Sequence, residues 1–232
     1  MWRVLTTSIS SSSMVDVALL FSGGRDSLLA GALLLEQGYR VHFLTCDNGH
    51  IDYVKRAKET VFELKDKGAC VIPPIISTAS LFYNLMLPEW QRKSAERIKL
   101  YPEVQTYQIH CLTCRYAMYV EAISYCKKHN ISYLAEGARK SQGFFIELPE
   151  MRDRLVELCS SQGITLLLPV YDLESDQKRK RMLADRGLTT KTLEPQCNLG
   201  SPIPTPLSDV ERRDLTLYYE KELKNKCLDI IL

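Results

Sequence analysis

Short apolar runs alternate with amphipathic stretches along almost the whole chain, and this alternation decides what it can fold into. The runs at 15–21, 41–46, 69–72, 133–136 and 165–170 are brief and apolar enough to be strands buried on both faces. The stretches between them, at 26–37, 51–67, 113–129, 150–162 and 175–186, carry apolar residues at helical spacing. Strand, helix, strand order predicts an α/β fold: a doubly wound, parallel, five-stranded sheet with right-handed crossovers and helices on both faces. Ligands of such sheets bind beyond the carboxyl ends of the strands, where the strand order reverses.

The length of 232 residues suits one such domain, assigned to 14–200. Residues 1–13, with a serine run at 10–13, read as a poorly ordered arm or expression remnant, and 201–232 as a C-terminal extension with a helix over 208–226. Hydrophobic content of 45% and charge of 25% are ordinary for a globular chain. No apolar run approaches the ~18 to 20 residues of a membrane span. The start lacks the basic and apolar regions of a signal peptide, so a cytoplasmic location without a membrane partner is expected. A net charge of +2 offers no bulk attraction to nucleic acid. The basic clusters at 178–181 and at Arg212 and Arg213 fall in helical patterns and read as solvated faces. Eight cysteines in a reducing compartment point to metal or sulfur chemistry instead of disulfides.

The first strand runs directly into Ser22-Gly23-Gly24-Arg25-Asp26-Ser27 and then into a helix. Two glycines let the backbone approach an anion, and the opening amides of a helix point at it with the dipole behind them. Ser22 and Ser27 add hydroxyl donors, and Asp26 is placed to hold a magnesium ion against phosphates. Neither G-x-x-x-x-G-K-[ST] nor G-x-G-x-x-G occurs here, which excludes the two commoner phosphate loops. The S-G-G-x-D-S hexapeptide resembles the PP-loop of the N-type ATP pyrophosphatases. That resemblance implies a Rossmann-like adenine nucleotide alpha hydrolase fold, and cleavage of ATP between its α and β phosphates to adenylate a substrate.

His110-Cys111-Leu112-Thr113-Cys114 reads as the entrance of a helix, with Cys111 and Cys114 on nearly one face of its first turn, where the dipole favours thiolates. A third cysteine, Cys197, follows the last core helix, in a loop that can return to the mouth of the sheet. A PP-loop, a C-x-x-C before the fourth strand and an isolated later cysteine are together similar to the cluster-dependent tRNA thiolation enzymes, over roughly 15–200. This resemblance implies a [4Fe-4S] cluster on Cys111, Cys114 and Cys197, with one iron open to exogenous sulfide. Three other readings stand beside it: a zinc site completed by His110, Cys46 or His50, a redox pair, and plain packing. Cys70, Cys126 and Cys159 read as small buried residues.

Phe21, Ser22, Gly23, Gly24, Asp26 and Ser27 are therefore the candidate ATP contacts. Thr45 and Cys46 after the second strand, and Gly137 and Arg139 after the fourth, lie at the same edge. Asn48 and Gly49 read as a turn, and His42 and His129 as structural. Where family members show a histidine or paired aspartates after the fourth-strand glycine, this chain has Ala138-Arg139-Lys140-Ser141. The segment 73–109 is too long for a bare connection and is expected to carry helices over the site. Its Trp90, Arg92, Lys93, Arg97 and Tyr101 are expected to pack that flap.

The resulting expectation is an AMP-forming sulfurtransferase that uses ATP, Mg2+ and a sulfur donor on tRNA or a related small molecule, with a homodimer open to it. An amidating or nitrile-forming ligase with Zn2+, and an adenine nucleotide sensor without turnover, are the alternatives. Catalysis falls to Asp26, Cys111, Cys114 and Cys197.

Overall fold

The computed structural model describes residues 14–49, 53–69, 74–142, 147–191, 197 and 207–231. Among them β1 (Asp16–Leu20), β2 (Arg40–Asp47), β3 (Ile75–Ser77), β4 (Tyr133–Glu136) and β5 (Thr165–Leu167) form one five-stranded sheet in the order β3-β2-β1-β4-β5. Every pairing is parallel, as the alternating pattern predicts. The order reverses between β1 and β4, so the crevice at their carboxyl ends is the place for a ligand.

Side-chain alternation in β1 divides the core into two layers. Val17 and Leu19 point into a layer with α1 (Arg25–Glu36), α2 (Tyr53–Val61) and Leu183 of α7 (Asp176–Ala184). Ala18 and Leu20 face the other layer. That layer is built from α3 (Ala79–Gln91), α5 (Thr106–His129), α6 (Pro149–Ser161) and the C-terminal α8 (Asp209–Tyr218) and α9 (Lys224–Ile231). The short α4 (Ser94–Leu100) follows α3 and buries none of its residues. A π-helical turn, Tyr219–Leu223, joins α8 to α9. The Tyr219 ring there stacks on Tyr116 of α5 with centroids 4.5 Å apart, so the C-terminal helices share the main core.

Two boundaries differ most from the sequence reading. The third strand is expected at 69–72 but lies at Ile75–Ser77, beyond Pro73 and Pro74; residues 70–72 of the expected run are outside the described residues. This strand is three residues long at the sheet's edge and largely exposed, so it carries little apolar signal. The helix expected to start near Thr113 starts at Thr106. Its opening is set by Gln105, whose backbone N-H donates to Oε1 of Gln108 at 2.7 Å, a local cap that hydrophobic spacing does not register. The expected arm at 1–13, Cys70 and most of the segment around Cys197 also lie outside the described residues. Among the described residues no helix is long and apolar enough to cross a membrane.

Candidate functional site

The turn after β1 is held from below by β2 and from the side by α2. Phe21 donates its N-H to the Leu44 carbonyl at 2.7 Å, and Thr45 Oγ1 donates to the Phe21 carbonyl at 3.0 Å. Gly23 adopts φ +73°, a conformation that side chains resist, and a Cβ there would lie 2.7 Å from Thr60 Oγ1 and 2.8 Å from the Ala57 nitrogen. Arg56 Nε donates to the Gly23 carbonyl at 3.0 Å. Within the turn, the Gly24 N-H donates to Ser22 Oγ at 3.2 Å and Ser27 Oγ donates to the Gly24 carbonyl at 3.0 Å. Because α1 opens at Arg25, its first amides lie at this turn, where no intrahelical acceptor reaches them.

Across the crevice, Gly137 follows β4 and comes against the same turn. A Cβ at Gly137 would stand 2.5 Å from the Ser27 nitrogen and 2.7 Å from the Asp26 carbonyl carbon. The candidate contacts from the first and fourth strands are thus brought together.

Asp26 is buried and already engaged. Arg179 Nη1 donates to both carboxylate oxygens at 2.8 Å, and Arg139 Nε stands 3.2 Å from Oδ1. Arg139 therefore lies in the site as expected, but as a partner of Asp26. The carboxylate expected to face a magnesium ion faces two guanidinium groups instead, and this arrangement does not fit a metal ligand. Arg179 reverses the sequence reading outright. It sits in the basic run 178–181, read as solvated, yet only 2% of it is exposed. The i, i+3 spacing to Asp176 was the available signal.

The cysteines lie on the opposite wall. Cys111 and Cys114 are the sixth and ninth residues of α5 and not part of its first turn, so the helix dipole does not act on them as expected. Burial pushes the Cys114 thiol up, against a lowering hydrogen bond from Asn48 Nδ2 at 3.4 Å. The Cys197 charge raises it further, which places Cys197 near Cys114. Burial, then the Cys114 charge, also raises the Cys46 thiol, so Cys46 stands at this wall as well. His110 accepts at Nε2 from Trp90 Nε1 at 3.1 Å; His50 is outside the described residues. Cys126 and Cys159 are fully buried, in keeping with their packing role. Among the described residues no three of His, Cys, Asp or Glu are arranged to hold a metal ion. Three thiols are a soft donor set, but as arranged they do not fit a bound cluster.

Between the two walls is a buried polar group that motif reasoning missed. Glu136, at the end of β4, accepts from Tyr119 O-H at 2.6 Å and pairs with Arg115 of the cysteine helix. Glu147 is 8% exposed, and its Oε2 has no hydrogen-bond partner. Burial pushes its carboxyl up to about 8, with Arg115 opposing and the Glu136 and Asp26 charges adding to the rise. Glu147 therefore feels both Asp26 of the 22–27 turn and Arg115 of the cysteine helix. Of the flap residues, Tyr101 is buried, Arg92 and Arg97 pair with Glu89, and the partly exposed Trp90 packs against Phe82, Tyr83 and His110, so these pack as expected.

No protein-family profile matches the chain. A 4-thiouridine synthetase, solved in complex with RNA and with bound ATP, superimposes with a TM-score of 0.58 at 14% identity, over 94% of this chain and 53% of that one. The chain shares the fold of that enzyme, a parallel five-stranded α/β sheet. The NMN synthetase of Francisella tularensis shares it with a TM-score of 0.55 at 10% identity, over 93% of this chain and 87% of that one. An uncharacterized protein of Methanocaldococcus jannaschii is 45% identical over 47 residues, which are 20% of this chain and 24% of that protein. The chain thus spans about half of the 4-thiouridine synthetase, and its match to the M. jannaschii protein spans about a quarter of that relative. In this fold the 22–27 turn, which resembles the PP-loop in sequence, packs against Gly137.

Proposed function

We propose that this chain is an ATP-dependent, AMP-forming sulfurtransferase acting on the carbonyl of a tRNA base or a related small molecule. The observation that carries the ATP half is the close approach of Gly137 to the Ser27 amide, which packs the β4 edge directly against the glycine turn at the reversal of strand order. The acceptor's carbonyl oxygen attacks the α phosphorus of ATP. The bond from that phosphorus to the bridging oxygen breaks, and pyrophosphate leaves against the amides and hydroxyls of residues 22–27. A sulfur nucleophile then adds to the activated carbon, the carbon-oxygen bond breaks, and AMP departs.

Support for the sulfur half is the closeness of Cys197 and Cys46 to Cys114, with Cys111 one turn earlier on the same helix. Thiolates suit a [4Fe-4S] cluster, which supplies an open iron for sulfide when bound. The described arrangement does not hold one, and the steps above use the chain's own residues and substrates.

Pyrophosphate release from MgATP, measured on anaerobically purified protein with tRNA or free bases added, tests the reading. Acceptor-dependent release together with thiolated product is expected. Release without sulfur incorporation, from protein that carries zinc and no iron, would assign the chain to the amidating or nitrile-forming class. Nucleotide binding with no release under any condition would make it a sensor.

A further inference from the structure

Three arginines meet around Asp26 and Asp176 beside the phosphate turn, and their charges do not balance. Arg25 belongs to the turn itself, Arg139 to the loop after β4 and Arg179 to α7. Arg179 pairs with both carboxylates. Arg25 Nη2 and Arg139 Nη2 each stand 3.7 Å from Asp176 Oδ1. Arg139 Nη1 also donates to Ser141 Oγ at 2.7 Å, and Arg139 Nε faces Asp26. Three guanidinium groups thus share two carboxylates, one of which, Asp176, is half exposed.

The side chains of Arg25, Arg139 and Arg179 are 9%, 6% and 2% exposed. Yet Nε and Nη1 of Arg25 and Nε of Arg179 are buried donors without a hydrogen-bond partner. Unpaired donors on buried cations are costly, and an incoming anion would relieve that cost. Guanidinium forks match phosphate oxygens, two donors to one group. Asp26, meanwhile, occupies guanidinium donors as an internal anion would.

We propose that Arg25, Arg139 and Arg179 form a pyrophosphate site that holds the outer two phosphates of the nucleotide without a divalent metal, with Asp26 as the internal anion that pyrophosphate displaces. This rests on the PP-loop reading and deepens it. It assigns Asp26 the opposite sign of effect from a magnesium ligand. A metal-ligand role requires that neutralising Asp26 weaken phosphate binding. Displacement of an internal anion requires that neutralising it strengthen metal-free binding.

The test is titration calorimetry of the full chain with inorganic pyrophosphate in EDTA, and with MgATP in parallel. Wild-type protein is expected to bind pyrophosphate in EDTA. Arg179→Gln is expected to weaken that binding by about tenfold or more, the effect of losing a charged hydrogen bond. Arg179→Lys keeps the charge but not the fork and serves if the glutamine variant does not fold; it is expected to lose part of the same affinity. Asp26→Asn is expected to bind pyrophosphate in EDTA more tightly than wild type. If wild-type protein binds MgATP but no metal-free pyrophosphate, or if Asp26→Asn binds it more weakly, the inference is overturned while the PP-loop reading stands. If neither ligand binds at all, both fall.

Discussion

Gly137 lies so close to the Ser27 amide that any side chain on it would stand 2.5 Å from that nitrogen. The neighbouring atoms are all backbone, so nothing there can rotate aside. Gly137→Ala is therefore expected to push the turn and the β4 edge apart. A loss of about 1 to 3 kcal/mol in stability is typical of forced overpacking, and ATP affinity should fall with it. Urea unfolding and ATP titration of the same variant check this; a variant with unchanged affinity would mean the cradle is not where nucleotide binds.

Glu147 carries a pH signature. Its folded carboxyl titrates at about 8 instead of the ordinary 4.5 because burial disfavours the charged form. The unfolded chain therefore releases this proton first as pH rises. The stability that Glu147 contributes is fully present below about 4.5 and is lost as pH rises to about 8. The limiting slope is about 1.4 kcal/mol per pH unit. Glu147→Gln should flatten the fall over this window, read from denaturation midpoints at pH 5 and pH 8. An unchanged pH dependence would show that the carboxyl is solvated.

Tyr119 is fully buried, and its O-H donates to Glu136 at 2.6 Å. Tyr119→Phe keeps the ring and removes that bond, leaving Arg115 to hold the carboxylate. Hydrogen bonds to charged groups contribute about 1.5 to 3 kcal/mol, so a loss in that range is expected on urea unfolding. ATP affinity should change far less than in Gly137→Ala, since Tyr119 lies beneath the crevice on α5 and not in the turn.

How much of this was legible in the sequence follows from the range of the interactions concerned. The turn at 22–27, the strands that feed the crevice and the parallel topology are written in local patterns: two glycines at a strand end, a short apolar run buried on both faces in β1, helical spacing in α1. The edge strand β3 and the opening of α5 were misplaced because an exposed three-residue strand and a glutamine cap leave little hydrophobic signal. Cysteine spacing named the residues of one wall without their chemistry. Burial, which raises the Cys114 thiol, depends on what packs around it.

Sequence alone determined a parallel α/β sheet with a glycine turn after its first strand, because backbone conformation and side-chain periodicity act over a few neighbouring residues. Tertiary structure alone decided that Asp26 would meet Arg179, 153 residues away, and that Glu147 would be buried within reach of Asp26 and of Arg115 on the cysteine helix. Charge pairing and desolvation depend on distance in space, and only the folded chain sets that distance.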